Sequence, residues 1–372
     1  MQSAHFFSLS NLHLLHSQLV LKIFPRTGGN PGKWRGHTVK AVDKTTLNLP
    51  ETKKLFKKFG SHRGARGRGP VSVELCCIFA VFPRVPLAWI TGKASTNEKP
   101  MFKRMMRRLR KGDLLLLDNG FYSFQIMKMI IERGCSFIIP VSKNTRPKVV
   151  RKLREHEWLV EICDSRHGHH GTLLMRLIYV YRDGFRRRRI LTSLTDTKTY
   201  PSSDIAWLYH RRWDIETFYR DFKSSMRACK WHCQSPDIFE KELAMHMIAI
   251  VLIRRTMLEA ARKLDIEPAT LSFRRALTEA RAFFSRVAGT AIAVVRKAYE
   301  CFVKECSRYR IALKPDRSFT RDKQEYRAKA RGLKGKKRGR PRKRTSSFVP
   351  FVRENSAPET VKYSDGCTYA LS

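Results

Sequence analysis

The first half of the chain contains short apolar runs of the kind that form buried strands. Val71–Val81 is rich in β-branched and apolar residues, and Leu114–Leu117 is a run of four leucines. Continuous apolar strands of this length are typical of a sheet that is covered on both faces. Thr38–Leu49 predicts a strand, a turn and a second strand, with Asp43 closing the first apolar stretch.

The middle of the chain predicts antiparallel strands, and the part after it predicts helices. Leu173–Tyr181 and Arg189–Leu194 predict two strands on either side of Asp183-Gly184, a hairpin signal. Ser and Asp after Pro201 then predict the start of a helix. The predicted helices are Asp204–Ser225, Ile238–Lys263, Thr270–Arg286 and Ala291–Tyr309. The order of these elements predicts an α/β fold.

Charge is the strongest global property of the sequence. The 372 residues include 75 Lys and Arg against 32 Asp and Glu, a net charge of +43. Such an excess favours a polyanionic partner, and nucleic acid is the natural one. A membrane surface is the alternative, but the longest apolar run, Leu243–Ile253, is too short to span a bilayer.

The cysteines and the first residues bear on the cellular compartment. Nine cysteines are spread along the chain, which suits reduced thiols better than a disulfide framework. The first 21 residues contain no Lys or Arg, which argues against a signal peptide. We therefore expect a cytoplasmic protein, and its charge suggests association with the nucleoid of a bacterium.

The predicted helix Asp204–Ser225 carries the strongest candidate chemistry. Tyr209, Arg212, Glu216 and Lys223 would fall within a stripe roughly 60° wide on a continuous α-helix. A carboxylate beside two cations suits a site for a metal ion and a phosphate. The alternative is a solvated face with i,i+4 ion pairs.

Two aspartates upstream are candidates for the same site. Asp118 follows Leu114–Leu117 directly, and the carboxyl ends of such strands are where open α/β sheets bind ligands. Asp43 follows the first apolar stretch of its segment, although an aspartate at a strand end is more often a turn residue or a cap.

These residues resemble a known family. The pattern Tyr-x2-Arg-x3-Glu-x6-Lys, met at every spacing by Tyr209, Arg212, Glu216 and Lys223, is similar to the signature of the IS-four family of bacterial insertion-sequence DDE transposases. Asp118-Asn119-Gly120-Phe121 resembles the block around the family's second aspartate, with Asn119 in place of its arginine. The family's arginine after the following strand is missing, and Lys143 stands in that neighbourhood.

The resemblance implies a fold and a division of the chain. The fold is RNase H-like: a mixed sheet with helices on both faces, interrupted by a β-rich insertion and followed by C-terminal helices and a disordered basic tail. The expected segments are a short N-terminal remnant (1–37), the first part of the catalytic core (38–145), the insertion (146–200), the second part of the core with the glutamate helix (201–264), the C-terminal helices (265–315) and the tail (316–372). The N-terminal remnant is shorter than the DNA-binding domain that the family usually carries.

The resemblance also implies an activity. Asp43, Asp118 and Glu216 would be the catalytic residues and would bind Mg²⁺, for which Mn²⁺ can substitute. Two such ions would support phosphodiester hydrolysis at transposon ends and strand transfer by the freed 3′-hydroxyl. Tyr209, Arg212 and Lys223 would contact DNA phosphates. The partner would be double-stranded DNA, and the protein would act as a homodimer.

The end of the chain adds a second DNA-binding candidate. Within residues 327–344, eleven residues are basic and none is acidic. Arg338 and Arg342 flank the sequence Gly339-Arg340-Pro341. The segment resembles an AT-hook, which inserts arginines such as Arg338, Arg340 and Arg342 into a narrow minor groove. A disordered tail that binds phosphates is an equal alternative.

Two other functions fit the sequence. An inactive transposase remnant that only binds DNA would explain the short N-terminus and Asn119. The complete set of Asp43, Asp118 and Glu216, called the triad below, argues against it. A nuclease that cuts without strand transfer would share every candidate residue and differ only in its products.

Overall fold

The structure is a computed structural model that describes residues 8–24, 33–64, 67–164, 171–181 and 187–311, with the main chain of 361–362 and 368–369. Hairpin residues 182–186 and the tail arginines Arg338, Arg340 and Arg342 lie outside the described residues. The described helices are α1 (Leu9–Ile23), α2 (Lys53–Phe59), α3 (Glu98–Met105), α4 (Phe124–Glu132), α5 (Ser202–His210), α6 (Trp213–Arg220), α7 (Pro236–Lys263), α8 (Phe273–Val287) and α9 (Ile292–Arg308).

Most of the strands form one large mixed sheet. The described strands are β1 (Lys33–Trp34), β2 (His37–Asn48), β3 (Ser61–Gly64), β4 (Gly67–Ala80), β5 (Val85–Lys93), β6 (Asp113–Leu116), β7 (Ser136–Val141), β8 (Lys148–Arg154), β9 (Glu157–Cys163), β10 (Thr172–Val180), β11 (Arg188–Thr192), β12 (Val361–Lys362) and β13 (Thr368–Tyr369). β12 and β13 pair only with each other.

The centre of the sheet has the RNase H-like order. Its five strands run β5–β4–β2–β6–β7; β5, β4 and β2 are antiparallel, and β2, β6 and β7 are parallel. Four further strands extend the sheet beyond β7 in the order β11–β10–β9–β8, all antiparallel. The predicted mixed sheet with a β-rich addition is therefore confirmed.

Helices cover both faces of this sheet because its strands alternate two apolar sets. On β6, Leu114 and Leu116 pack with α5 to α9, whereas Leu115 and Leu117 pack with α3 and α4. Successive side chains of a strand point to opposite faces, so a strand of consecutive leucines is buried on both sides. The sequence prediction of helices on both faces is confirmed.

The N-terminal segment belongs to the same core. Leu12, Leu19 and Ile23 of α1 pack against α7 and β5. The Nε2 atom of His16 lies 3.1 Å from the carbonyl oxygen of Pro86, and the side chain is buried. No helix in the described ranges is long and apolar enough to cross a membrane.

Two local predictions are wrong. The expected strand–turn–strand around Asp43 is a single strand, β2, because β4 pairs with it in register from Lys40 opposite Ala80 to Asn48 opposite Ser72. The expected continuous helix Asp204–Ser225 is α5, a tight turn, α6 and one π turn. At the tight turn the N–H groups of Arg211 and Arg212 bond three residues back, to Leu208 and Tyr209.

Candidate active site

Asp43 lies in the middle of β2 at a point where its neighbouring strand has ended. β6 pairs with β2 only from Thr38 to Ala41, so β2 continues past the end of β6. The Oδ1 atom of Asp43 accepts a 2.8 Å hydrogen bond from the N–H of Lys44. The alternative of a turn residue or cap is wrong, since the strand is regular on both sides of Asp43.

Asp118 follows β6 at the same edge. Its side chain is exposed and makes no capping hydrogen bond to the 3-10 turn Asn119–Phe121 that it precedes. The turn is close to α3, because a Cβ atom at Gly120 would collide with the carboxylate of Glu98. A side chain at this position would therefore displace the Glu98 carboxylate at the start of α3.

Glu216 projects from α6 and is held by Arg212. The Nη2 atom of Arg212 donates a 2.8 Å hydrogen bond to Oε1 of Glu216, one helical turn away. The arginine side chain is 8% exposed and the glutamate 38%. The expected i,i+4 ion pair exists, but the alternative of a solvated face is wrong because both Arg212 and Tyr209 are buried.

Two tyrosines join the helices to the strands that carry the aspartates. The hydroxyl of Tyr209 donates to the carbonyl oxygen of Leu117 at 3.2 Å, next to Asp118. The hydroxyl of Tyr219 donates to the carbonyl oxygen of Asp43 at 2.7 Å. Burial raises the pKa of Tyr209 to about 12, so its hydroxyl remains a donor at neutral pH.

The charges of the triad act on one another. Burial raises the pKa of Asp43 to about 6, and the carboxylates of Glu216 and Asp118 add to the rise. The Lys44 N–H and the guanidinium of Arg212 oppose it. For Arg212, burial disfavours the charge, but Tyr209, Asp118 and Glu216 together raise its pKa. Arg212 is thus a cation in the field of all three carboxylates.

Lys223 differs from the other members of the predicted stripe. It lies on the π turn Asp221–Ser225, where the N–H of Met226 bonds to the carbonyl of Asp221 five residues back. Burial lowers the pKa of Lys223, and the carboxylate of Glu74, not a triad carboxylate, opposes this shift. The π turn breaks the helical phase on which the predicted stripe depended.

The triad has suitable ligands for a divalent ion but is not arranged as a metal cage. Three carboxylates from β2, the end of β6 and α6 offer the oxygen ligands that Mg²⁺ prefers. Burial raises the pKa of Asp43, and the nearby charges of Glu216 and Asp118 make smaller contributions in the same direction. Within the described ranges, however, no group of three or more Asp, Glu, His or Cys side chains could hold a metal ion as it stands. The ion pair with Arg212 engages Glu216 instead.

A basic cavity of about 260 Å³ opens beside Asp118. Tyr209 and Arg212 line it from the helix side. Its cationic lining residues are Lys143, Arg187, Arg188, Arg189 and Arg212. Such a density of cations around one carboxylate fits a phosphate group next to the triad.

Arg189 holds one wall of this cavity. Its guanidinium donates to the carbonyl oxygens of Ser142, Lys143 and Thr145, at 3.2, 3.1 and 2.9 Å. These bonds attach β11 to the loop after β7. The chain has four consecutive arginines at this hairpin, Arg186–Arg189. The position of Arg187–Arg189 beside Asp118 could not be predicted, because the two segments are brought together by the pairing of β11 with β7.

A buried ion cluster supports α6 from the side away from the cavity. Asp214 pairs with Arg84 from the β4–β5 turn and, at 3.0 Å, with Arg211. Arg211 also reaches Glu267 at 3.3 Å. The pKa of Asp214 is lowered: burial would raise it, but the two arginines outweigh burial. Sequence reasoning missed this cluster, since Arg84 and Glu267 lie far along the chain from Arg211 and Asp214.

Comparisons with known proteins identify relatives of this arrangement. A family model described as the transposase DDE domain matches residues 34–252. The chain is 27% identical over 278 residues to transposase InsG for insertion sequence element IS4 of Escherichia coli (strain K12), covering 70% of this chain and 62% of that protein. The chain thus spans less than two thirds of that relative. A cryo-EM structure of the piggyBac transposase synaptic complex with hairpin DNA is 12% identical, with a TM-score of 0.41, and covers 80% of this chain and 61% of that one.

Proposed function

This chain belongs to the transposase DDE domain family, and on that premise we propose that it is a DNA transposase. It cuts phosphodiester bonds at insertion-sequence ends and joins the freed 3′-hydroxyl to target DNA. Asp43, Asp118 and Glu216 are its catalytic residues.

The observation that carries this proposal is the electrostatic coupling of the three carboxylates. They come from positions 43, 118 and 216, yet Asp118 and Glu216 both contribute to the raised pKa of Asp43. A protein gains no stability by bringing three acidic groups together at a sheet edge. Such clusters are characteristic of sites that bind cations and act on phosphates.

Each residue of the site has a role in this proposal. Asp43, Asp118 and Glu216 hold Mg²⁺, or Mn²⁺ in its place. Two such ions would supply charge to both the attacking and the leaving oxygen of an in-line displacement. Tyr209 orients the segment before Asp118 through the carbonyl of Leu117.

The basic cavity binds the DNA backbone beside the reacting bond. Lys143 and Arg212 grip phosphate oxygens there, and Arg187–Arg189 extend the contact along the strand. Lys223, whose charge interacts with that of Glu74, also contacts a DNA phosphate in this proposal. The same cavity serves cutting and joining, since both are in-line displacements at a DNA phosphate: water attacks the phosphate at the insertion-sequence end, and the freed 3′-hydroxyl then attacks a phosphate of the target DNA and displaces its 3′-oxygen.

Further partners follow from the sequence. Arg338, Arg340 and Arg342 add affinity for DNA, and two copies of the chain act on two paired ends. Deleting residues 332–344 would lower DNA affinity and flatten its salt dependence, each lost phosphate contact removing about 0.9 from the log–log slope. An unchanged slope would exclude a DNA-binding tail. Light scattering of the protein–DNA complex gives the number of copies.

The test of the proposal is a cleavage assay on the DNA that flanks this gene. The protein is incubated with that DNA and Mg²⁺ or Mn²⁺, and the products are resolved on a denaturing gel. We expect metal-dependent cuts at the ends and joined products, which Glu216→Gln abolishes without loss of DNA binding. Glu132→Gln, a change at a 59% exposed carboxylate on α4, is the matched control and should cut normally.

The other outcomes of this assay distinguish the alternatives. Cuts without joined products would indicate a nuclease. Binding without cuts, in the wild-type protein and in both variants, would indicate a remnant that only binds DNA. Loss of DNA binding in Glu216→Gln would contradict the assignment of Glu216.

A further inference from the structure

Arg212 has the position of a cation that the three carboxylates share. It donates a hydrogen bond to Glu216 at 2.8 Å. Its charge lowers the pKa of Asp43, and the charge of Asp118 raises the pKa of Arg212. Its side chain is buried, and its Nε atom has no hydrogen-bond partner among the described residues. The guanidinium therefore keeps an unused donor within the site.

The same guanidinium lines the basic cavity. Lys143 and Arg187–Arg189 lie around this cavity and make it attractive to a phosphate group. An incoming phosphate offers two oxygens that a guanidinium can bind at once through paired hydrogen bonds. The partly exposed Glu216 carboxylate, by contrast, holds Arg212 through a single hydrogen bond.

On the basis of the proposed function, we propose that Arg212 couples metal binding to DNA binding. In the free protein Arg212 occupies Glu216 and weakens the binding of a divalent ion to the triad. A DNA phosphate in the basic cavity draws Arg212 away, and Glu216 then completes the ligand set. The arrangement keeps the metal site incomplete until a substrate phosphate is next to it.

Linkage fixes the consequences of this arrangement. If a DNA phosphate strengthens metal binding, the metal must strengthen DNA binding by the same factor. Removing the Arg212 side chain should give the triad its high metal affinity without DNA. The coupling should then be lost, because nothing remains for the phosphate to displace.

The test measures Mn²⁺ binding, by the paramagnetic resonance signal of free Mn²⁺, with and without a DNA duplex of the flanking sequence. Glu216→Gln gives the background from DNA and from other sites, and the difference from wild type is the binding that depends on Glu216. In the wild-type protein we expect DNA to tighten this binding about tenfold, within the usual range of coupling between sites.

Variants of Arg212 identify the residue responsible. Arg212→Gln should bind Mn²⁺ about tenfold more tightly than wild type without DNA and gain nothing when DNA is added. Arg188→Gln removes one positive charge from the same cavity but leaves the ion pair between Arg212 and Glu216 in place. It therefore separates the effect of lost positive charge from the effect of releasing Glu216. Measured without DNA, it should change Mn²⁺ affinity by about twofold or less. Circular dichroism verifies that each variant is folded, and the neutral variant Arg212→Met serves if Arg212→Gln is not.

Three results would overturn the proposal. DNA could leave the wild-type Mn²⁺ affinity unchanged, or Arg212→Gln could bind Mn²⁺ no more tightly than wild type. Arg188→Gln could also match Arg212→Gln, which would make the effect one of net charge. If Glu216→Gln bound Mn²⁺ as the wild-type protein does, the assignment of Glu216 as a ligand, and hence the proposed function itself, would fail.

Discussion

The hydroxyl of Tyr219 donates a 2.7 Å hydrogen bond to the main-chain carbonyl oxygen of Asp43. Tyr219 follows Glu216 by nearly one turn of α6, so this bond joins the glutamate helix to the strand that carries the first aspartate. The distance between two members of the triad depends on a residue that itself carries no catalytic group. Burial and the neighbouring Cys77 and Asp43 raise the pKa of Tyr219 well above its ordinary value, so the hydroxyl stays protonated.

Removing this hydroxyl should affect cutting more than stability. Tyr219→Phe loses one buried hydrogen bond, which we expect to cost about 1–2 kcal/mol of unfolding free energy. A small shift of α6 relative to β2 should slow single-turnover cleavage about tenfold with DNA affinity unchanged. Urea unfolding and cleavage kinetics check the two effects.

Tyr299→Phe is the matched control. Its hydroxyl donates to Glu259 at 2.7 Å, between α9 and α7 and away from the triad. It should lower stability by a similar amount and leave the cleavage rate unchanged. Equal rates for the two variants would contradict a positioning role for Tyr219.

Asp43 should make the metal-free protein less stable at neutral pH. Its folded pKa of about 6 lies above its ordinary value of 3.8, so its ionisation in the folded state is unfavourable. The contribution of Asp43 to the free energy of unfolding is fully present below pH 3.8 and is lost as the pH rises through 6. The loss above pH 6 is up to about 3 kcal/mol.

Asp43→Asn should therefore unfold at higher temperature than wild type in EDTA at pH 7.5. The gain should shrink as the pH falls through 6 and disappear near pH 4. Asp237→Asn, at a 67% exposed carboxylate on α7, should show no gain. A wild type as stable as Asp43→Asn at pH 7.5 would show that the burial of Asp43 and its neighbouring carboxylates do not disfavour its ionisation.

The ion cluster beneath α6 should act as one unit. Asp214→Asn leaves Arg84 without its buried counter-charge and Arg211 with Glu267 alone, and we expect a loss of about 3 kcal/mol. The double variant Arg84→Met/Asp214→Asn should lose clearly less than the sum of the two single variants. Urea unfolding measures all three variants, and additive losses would mean that the two residues are not coupled.

Lys143 should contribute to DNA affinity through the cavity beside Asp118. Lys143→Ala should weaken DNA binding and reduce the log–log salt slope by about 0.9. Lys148→Ala is the control, because it removes the same charge from a lysine on β8 that pairs with Glu161. This variant should leave the slope closer to wild type. Equal slopes for the two variants would remove Lys143 from the proposed phosphate contact. Titrations at several salt concentrations supply the slopes.

The sequence predicted the family and the mixed sheet correctly, and both are confirmed. The Leu114–Leu117 strand could be predicted because a short run of four leucines that ends at Asp118-Asn119-Gly120 is typical of a strand buried on both faces. The spacing of Tyr209, Arg212 and Glu216 could be recognised from the sequence because these residues are close together in the chain.

The errors arose where distant segments decide the local structure. Asp43 lies within a strand, not at a turn, because β4 supplies nine consecutive pairing partners for β2. Lys223 leaves the predicted stripe because α6 ends in a π turn, where Asp221 pairs with Arg254 of α7 at 3.0 Å. Tyr219 and Arg189 were missed for the same reason, since their partners lie far along the chain.

Iron-directed backbone cleavage would show whether Asp43, Asp118 and Glu216 form one metal site. Fe²⁺ replaces Mg²⁺, ascorbate and peroxide generate radicals at the bound iron, and mass spectrometry maps the cut peptide bonds in the DNA-bound protein. We expect cuts clustered near residues 43, 118 and 216, suppressed together by excess Mg²⁺ and by Asp118→Asn. Cuts at only one of these segments, or cuts that persist in Asp118→Asn, would contradict a single metal site.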